Sequence, residues 1–413
     1  MDLQRTIEAI WRMESARLVA SVIRLVRDVG LAEDIVQEVF IVAMESWPTA
    51  GLPPNPRAWL LTTARHKAID LIRRERSRDA KYALLANELR TEPAGSGTTD
   101  TVDDDLLALM FTACHPVLPR ESRVALTLRL LGGLTTDEIA RAFLVPSATI
   151  GQRISRAKRT LTEAHVRYEV PAADELDSRL PSVLEVIYLI FTEGYAATSG
   201  TDWVRRDLAA EAMRLGRVLA ALLNRQPEAH GLLALMELQA SRFDTRTGPS
   251  GTPVLLQDQD RSHWDRTLIR HGVTALDTAI RLGRPLGPYT LQAAIAGCHA
   301  RARSFDETDW EAAVALYDAL AQIAPSPVVE LNRAVAVMYA DGPAAALQAL
   351  DAVRDDPRLA RHHLLGAVHG DILLRLERWA DAAEVLEQAA GLAPTQRERD
   401  LLMERAAAAA AKS

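Results

Sequence analysis

The sequence predicts an all-α fold, and two observations carry that prediction. Apolar residues recur at the spacing of a helix in almost every strongly periodic segment, and no segment sustains the two-residue alternation of a half-buried strand. The 413 residues are 48% hydrophobic, 25% charged and 5% aromatic, the composition of a globular chain long enough for two or three domains. We predict two small helical domains, the second with a helix-turn-helix, joined by a flexible linker and followed by a helical extension with repeats.

The first domain is predicted over residues 1–80. It holds three helices, expected over residues 5–28, 32–46 and 56–78, and the third is strongly basic. Eight Lys or Arg and only three Asp or Glu lie between positions 57 and 81. Such a helix is either a solvated surface or a contact for nucleic-acid phosphate, and its charge alone leaves both interpretations open.

The second domain is predicted over residues 103–166, after a flexible linker over residues 81–102 that is rich in Gly, Ser and Thr. Thr135 or Thr136 can cap a short helix in this domain, and the segment 144–146 (Leu-Val-Pro) is expected to form a turn. A short helix that ends in a tight turn is the first half of a helix-turn-helix.

A second helix is expected to follow the turn, with Ser147 as its cap. Its apolar side chains share one face, namely Ile150, Ile154, Ala157 and Leu161. Its other face is polar and basic, and a helix of this kind fits the major groove of DNA. The candidate DNA contacts are Ser147, Thr149, Gln152, Arg153, Ser155, Arg156 and Lys158. The alternative is a helical hairpin with a purely structural role.

Three segments between residues 1 and 166 resemble, in their order and spacing, segments of the extracytoplasmic-function sigma factors of the sigma-70 family. The segment 31–41 (Leu-Ala-Glu-Asp-Ile-Val-Gln-Glu-Val-Phe-Ile) is similar to the family's segment that binds the clamp helices of the RNA polymerase beta-prime subunit. The resemblance implies the polymerase contacts Asp34, Gln37, Glu38 and Phe40. It also implies core RNA polymerase, through the clamp helices and the beta flap, and promoter DNA as partners.

The basic helix resembles the family's segment that opens and reads the −10 promoter element, over residues 56–74. Trp59 and Leu60 would anchor it in the core. The implied −10 contacts are Arg65, His66, Lys67, Asp70, Arg73 and Arg74. The helix-turn-helix resembles the domain that reads the −35 element. In the recognition helix of that domain the family usually has basic or Val/Lys-type residues, and this chain has Gly151 and Gln152 instead.

The remaining chain is predicted to form a helical middle domain over residues 171–308 and a C-terminal helical domain over residues 309–413. In the latter, prolines at 325, 357 and 394 end successive helical segments, a spacing that resembles tetratricopeptide repeats. A plain alanine-rich bundle is the alternative. Residues 171–413 hold 25 basic and 33 acidic side chains, so we expect this part to bind a protein partner and to regulate the sigma domains rather than to bind DNA.

The segment 191–200 (Phe-Thr-Glu-Gly-Tyr-Ala-Ala-Thr-Ser-Gly) resembles a signature of the sigma-factor subgroup that carries such an extension. Glu193 within it is the best lone catalytic candidate, but Gly194 beside it explains the segment as the end of a helix. Cysteine and histidine are neighbours at 114–115 and at 298–299. Neighbouring side chains on a helix point about 100° apart, so neither pair is well placed to chelate a metal. We therefore expect no enzyme activity, no metal and no cofactor.

Features that the sequence lacks argue against disulfide-stabilised, membrane-spanning and secreted proteins. Two cysteines cannot form a disulfide framework, no apolar run reaches the roughly 18 residues of a membrane span, and the N-terminal residues are not those of a signal peptide. The sequence thus predicts a cytoplasmic protein with no membrane contact. The main alternative to a sigma factor is a one-component transcriptional regulator with a helix-turn-helix and a helical sensor domain. A pure repeat scaffold would leave residues 1–166 unexplained.

Overall fold

The structure, a computed structural model, describes residues 3–80, 99–143, 145–195, 206–246, 248 and 254–413. Every regular element in these ranges is a helix, which confirms the predicted all-α class. The chain divides into two compact units, unit 1 (Met1–Ile190) and unit 2 (Phe191–Ser413). Within the described ranges, none of the helices combines the length and the apolar character needed to cross a membrane.

Unit 1 begins with three helices, α1 (Leu3–Val26), α2 (Val29–Ala50) and α3 (Pro56–Ala80). Asp28 is the N-cap of α2, since its carboxylate accepts a hydrogen bond from the N–H of Leu31 at 2.8 Å. Asn55 does the same at the start of α3, where its side chain accepts from the N–H of Ala58 at 3.0 Å. Polar caps therefore set where the second and third helices begin.

Helix α2 is longer than the predicted segment 32–46 and continues through Pro48. Trp47 is buried, and its ring packs edge-on against Trp59 of α3 with the centroids 5.4 Å apart. This contact holds the last turn in place, so the backbone bond that proline removes does not end the helix. Leu60, fully buried beside Trp59, confirms that this pair anchors α3 in the core.

The second half of unit 1 holds α4 (Thr99–Ala113), α5 (Arg120–Leu130), α6 (Thr136–Ala142) and α7 (Ser147–Glu163), and α8 (Ala173–Tyr195) follows. The hydroxyl of Ser182 on α8 donates to the carbonyl oxygen of Cys114 at 2.6 Å, and the Arg123 side chain donates to Ser182. Residues 171–190, which the sequence assigned to the middle domain, thus pack within unit 1. Of the predicted linker over 81–102, residues 81–98 lie outside the described residues, and α4 already begins at Thr99.

Unit 2 contains helices α9 to α18, which are Arg206–Leu222, Pro227–Ala240, Arg266–Leu282, Pro288–Arg301, Trp310–Ile323, Pro327–Ala340, Pro343–Asp351, His363–Arg375, Trp379–Leu392 and Gln396–Ala410. Short 3₁₀ helices lie at Phe243–Thr245, Leu256–Asp258 and Arg261–His263. Helix α10 is central, because it packs on α9, α11 and α12. From α13 onward each helix packs on the next one, the nearest-neighbour pattern that helical repeats share. Assignment to tetratricopeptide repeats stays a prediction.

A buried arginine organises the middle of unit 2. Arg261 is 3% exposed, and its guanidinium donates to the carbonyl oxygen of His299 at 2.8 Å and to the hydroxyl of Thr308 at 3.0 Å. It also lies 5.0 Å from the centroid of the Trp264 ring. The imidazole of His299 packs edge-on against Trp310, with the centroids 5.2 Å apart. The guanidinium and these rings lie beside an aliphatic cluster that includes Leu238 and Ala300.

We predict that acid destabilises unit 2 through His299. Burial, and after it the nearby guanidinium groups of Arg242 and Arg261, together lower the pKa of this imidazole from 6.5 to about 3. The unfolded chain binds a proton below pH 6.5 and the folded chain does not, so the stabilisation is complete above pH 6.5 and is lost as the pH falls toward 3. Between pH 7 and pH 5 the free energy of unfolding should fall by about 1–2 kcal/mol through this group.

The measurement is urea unfolding at pH 7 and pH 5 for the natural chain and for His299→Phe, which retains a ring against Trp310. Other titrating groups are common to both proteins, so the difference between their pH slopes reports on His299 alone. Equal slopes would show that folding does not lower the pKa of the imidazole.

Candidate nucleic-acid interface

The helix-turn-helix begins with a capping box. The Thr135 hydroxyl accepts a hydrogen bond from the N–H of Glu138 at 3.1 Å, and the Glu138 carboxylate accepts from the N–H of Thr135 at 2.8 Å. Of the two threonines that the sequence offered, Thr135 is therefore the cap. The turn closes with a bond from the N–H of Val145 to the carbonyl of Ala140 at 3.1 Å; Leu144 lies outside the described residues.

Helix α7 starts differently from the prediction. Pro146 precedes it and Ser147 is its first residue, so the expectation that Ser147 caps the helix is wrong. Pro146 has a φ of −60°, and its carbonyl accepts the N–H of Thr149 at 2.9 Å. The proline ring presets the backbone angle that the first turn needs, so a side-chain cap is not required.

The two faces of α7 divide as the sequence predicts. Its buried residues are Ile150, Ile154, Ala157 and Leu161. On the other side Ser147, Gln152, Ser155 and Arg156 are exposed, and Thr149, Arg153 and Lys158 are half-buried. The helix thus has an outward strip of hydroxyl, amide and guanidinium groups, the donors and acceptors that can meet base edges and phosphates.

Lys158 departs from this strip. Its Nζ lies 2.5 Å from a carboxylate oxygen of Glu33 on α2, and Glu33 is only 5% exposed. Arg129 of α5 holds the other oxygen of Glu33, also at 2.5 Å. In this conformation the charge of Lys158 neutralises a buried carboxylate, and its contact with DNA stays a prediction.

The basic helix α3 presents most of its candidate residues on the surface. His66, Asp70 and Arg73 are exposed, and Arg65 and Lys67 are half-buried. The ammonium of Lys67 lies 2.8 Å from a carboxylate oxygen of Glu38, one of the candidate polymerase contacts on α2. The side chain of Arg74 lies outside the described residues.

The candidate polymerase contacts on α2 are of three kinds. Asp34 and Glu38 are exposed carboxylates, as a contact with a basic partner requires. Gln37 is half-buried, and its amide donates to Glu33 at 2.7 Å. Phe40 is 4% exposed, and its ring packs edge-on against Trp11 with the centroids 4.6 Å apart. The implied role of Phe40 as a polymerase contact is therefore corrected, because its ring belongs to the core.

Three families match parts of the chain. Residues 11–78 match sigma-70 region 2, residues 108–161 match sigma-70, region 4, and residues 179–280 match a family of unknown function (DUF6596). The first two matches cover α2 with α3, and α6 with α7, whose surfaces are described above. The third lies in the predicted extension and is consistent with the predicted subgroup.

Relatives in the curated collections agree with these matches. The ECF RNA polymerase sigma factor SigK of Mycobacterium ulcerans is 30% identical over 156 residues, which are 35% of this chain and 78% of SigK. The chain belongs to the ECF family of RNA polymerase sigma factors. SigI of Mycobacterium tuberculosis, a probable ECF sigma factor, is 29% identical over 180 residues, 42% of this chain and 60% of SigI.

The similarity to a third relative extends into unit 2. An uncharacterized protein of Rhizobium meliloti is 42% identical over 380 residues, which are 90% of this chain and 88% of that protein. No solved structure matches the chain. Among the residues that the structure describes, no group of three or more His, Cys, Asp or Glu side chains could hold a metal ion.

The sequence analysis missed the residues that bring the two regions of this ECF sigma factor together, above all Glu33 and Arg129. One signal for Glu33 was available. It lies three residues before Val36 and seven before Phe40, both buried, so helical spacing places it on the inner face of α2. A carboxylate in such a position requires a cation. Nothing in the pattern identified which cation that would be.

We predict that Gly151→Ala stabilises region 4. Gly151 lies inside α7, and a Cβ at this position would meet only the Cγ2 of Thr136, at 4.0 Å, an ordinary van der Waals contact. Alanine should therefore raise the free energy of unfolding by about 0.5–1 kcal/mol, the usual advantage over glycine inside a helix.

The matched control is Gly133→Ala in the same unit, measured by the same chemical denaturation. Gly133 has a φ of +65°, and its Cβ would lie 3.0 Å from the Ser15 hydroxyl, so alanine should destabilise there by about 1 kcal/mol. A loss of stability in both variants would contradict the packing described for α7.

Proposed function

We propose that this ECF sigma factor binds core RNA polymerase and directs transcription initiation from promoters that it reads at two elements, −35 and −10. The observation that carries the proposal is the division of α7. Its apolar face is buried while Gln152, Ser155 and Arg156 are exposed on the opposite face, inside the residues that match sigma-70 region 4. A simple hairpin has no need for such a strip.

Helix α7 would read the −35 element from the major groove. The groove is about 12 Å wide and accepts one helix, whose N-terminal half then faces the base edges. Thr149, Gln152 and Arg153 lie in that half, and Ser155 and Arg156 follow toward the phosphates. Arginine suits either role, because its planar guanidinium can donate two parallel hydrogen bonds to guanine or to phosphate.

Helix α3 would contact the −10 element. His66, Asp70 and Arg73 are exposed on it, and Arg65 and Lys67 are partly exposed. Trp59 and Leu60 hold the helix in the core, so these side chains rest on a rigid support. The family match over residues 11–78 supports this role.

Helix α2 would bind the clamp helices of the beta-prime subunit, and region 4 would bind the beta flap. Asp34 and Glu38 are exposed acids, which suit a basic protein surface and repel DNA. Gln37 is partly exposed beside them. Because the polymerase itself contacts promoter DNA, a sigma factor of net charge −7 does not need a large basic surface of its own.

The proposed organisation assigns region 2 to residues 1–80, region 4 to residues 103–166 and a tether to the residues between them, of which residues 99–102 belong to α4. Two readers on one tether raise each other's effective concentration, so weak binding at each element becomes selective for a site that has both. The extension would act as a regulatory domain, with a protein partner at its C-terminal helices. The protein would have no catalytic activity of its own.

Run-off transcription tests this function. The purified chain is added to core RNA polymerase on genomic promoter fragments, and we expect discrete transcripts that are absent without it. A parallel reaction uses residues 1–195, which retain the contact of Ser182 on α8 with Cys114. A change in transcript yield between the full chain and residues 1–195 supports regulation by the extension, and equal yields contradict it.

The competing function is a one-component regulator, which would bind duplex DNA without polymerase. A chain that shifts promoter DNA alone, yields no transcript and does not bind core polymerase would establish that function instead.

We predict that Arg153→Gln and Arg156→Gln each weaken promoter recognition at the −35 element. If the lost guanidinium contacts a base, the binding free energy should weaken by about 1–3 kcal/mol. If it contacts a phosphate, the slope of log affinity against log salt concentration should fall by about one. The measurement is transcription by the reconstituted holoenzyme at several salt concentrations.

The control for these variants is Arg120→Gln on α5, where an exposed arginine faces Glu185 at 3.3 Å and belongs to none of the proposed surfaces. Equal effects of the three substitutions would show that charge alone matters, and would count against reading by α7.

A further inference from the structure

Regions 2 and 4 are packed against each other within unit 1 around one buried carboxylate. Glu33 on α2 is bound by Arg129 of α5 and by Lys158 of α7, each at 2.5 Å, and Gln37 adds a third donor at 2.7 Å. Although burial alone would raise the pKa of Glu33, the two cations outweigh it and lower that pKa. The carboxylate is therefore ionised, and its charge is satisfied only across the interface between the two regions.

Further hydrogen bonds join the same two regions at separate places. Each links α1 or the start of α2 to residues that follow α5 or lie at the end of α7. They are Trp11 Nε1 to the carbonyl of Gly133 at 2.9 Å and the Thr162 hydroxyl to Asp28 at 3.2 Å. The Tyr168 hydroxyl, in the segment that follows region 4, also donates to the carbonyl of Ala20 at 3.1 Å. The contact is thus an extended interface rather than one ion pair.

This interface occupies parts of both proposed binding surfaces. Lys158 stands on the helix that would read the −35 element, and its ammonium cannot meet a phosphate while it holds Glu33. Gln37 stands on the helix that would bind polymerase, and its amide is engaged by the same carboxylate. Asp28, the cap of α2, accepts from Thr162 on α7 as well. The DNA reader and the polymerase-binding helix therefore engage each other.

We propose that the Glu33–Arg129–Lys158 cluster is an autoinhibitory latch, which holds regions 2 and 4 together in the free sigma factor and opens when polymerase and promoter DNA bind. This inference rests on the proposed function and adds its regulation.

Opening exchanges one set of ion pairs for another. A DNA phosphate can replace the Glu33 carboxylate on Lys158, since both are anions that accept from an ammonium. A basic side chain of the polymerase can replace Lys158 or Arg129 on Glu33. Neither partner alone compensates both halves of the cluster, and separation without compensation would leave charges unpaired. The latch would thus favour binding to polymerase and promoter together over binding to DNA alone.

The test uses full-length Glu33→Gln. This change keeps the shape of the side chain and removes its charge, which leaves Arg129 and Lys158 as two neighbouring cations and drives the regions apart. If about nine free chains in ten are closed, opening should raise transcription at limiting sigma concentration by about tenfold. Arg129→Gln is a second variant outside both proposed binding surfaces, and it should act in the same direction but less strongly, because Lys158 still pairs with Glu33.

The control is Asp177→Asn, which removes an exposed carboxylate from α8, outside the helices proposed to bind DNA and polymerase, and should leave transcription unchanged. Thermal unfolding of each variant verifies that the helices are intact. The opening itself is measured without polymerase, as the distance between spin labels at Met44→Cys on α2 and Arg159→Cys on α7. Both native residues are exposed, Cys114 is buried, and Cys298 is replaced by serine for this purpose.

The latch is supported if Glu33→Gln lengthens the label distance in the free protein and raises transcription. An unchanged distance overturns it, because the cluster would then not hold the regions together. A longer distance with unchanged or reduced transcription overturns autoinhibition. If neither the natural chain nor any variant programs core polymerase, the proposed function fails, and so does autoinhibition of it; the label distance still shows separately whether the cluster closes unit 1.

Discussion

A carboxylate that is 5% exposed needs positive charge beside it, because an unpaired anion in a protein interior is far less stable than one in water. In unit 1 that requirement falls on Glu33, and the cations that meet it come from two other helices, α5 and α7. This pairing is one of the contacts that join the two sigma regions, beside hydrogen bonds such as that of Trp11 to Gly133. Lys158 in turn is drawn away from the solvent strip of α7, so one electrostatic constraint shapes both the fold and the candidate site.

Unit 2 also contains a buried charge, which here is a cation rather than an anion. Arg261 is buried there, and its two terminal nitrogens donate to a backbone carbonyl and a hydroxyl rather than to a carboxylate, while its guanidinium lies against the Trp264 ring. Burial, together with the guanidinium groups of Arg242 and Arg261, lowers the pKa of the neighbouring His299 and keeps its imidazole neutral. Both units thus contain a charged or titratable group whose environment is made by residues distant in sequence.

Most of the local structure could be predicted because it depends on near neighbours. The capping box at Thr135 and Glu138, the turn before Pro146 and the inward face of Ile150 and Ile154 all involve residues within one or two helical turns. The prediction failed where a contact between distant residues sets the end of a helix. Helix α2 continues through Pro48 because Trp47 packs on Trp59 of another helix. The start of α7 was misjudged for a local reason, since proline already presets the first turn without a cap.

The sequence by itself determined the all-α class, the helix-turn-helix and membership of the ECF sigma family, because periodicity and motif spacing are properties of short segments. Only the tertiary structure decided which candidate residues are available. Phe40 belongs to the core with Trp11, Gln37 and Lys158 are engaged by Glu33, and His66, Gln152 and Arg156 remain exposed. The reason is physical. Burial and ion pairing depend on which helices meet, and Glu33 meets Arg129 and Lys158 across roughly a hundred residues of chain, a separation that no local pattern encodes.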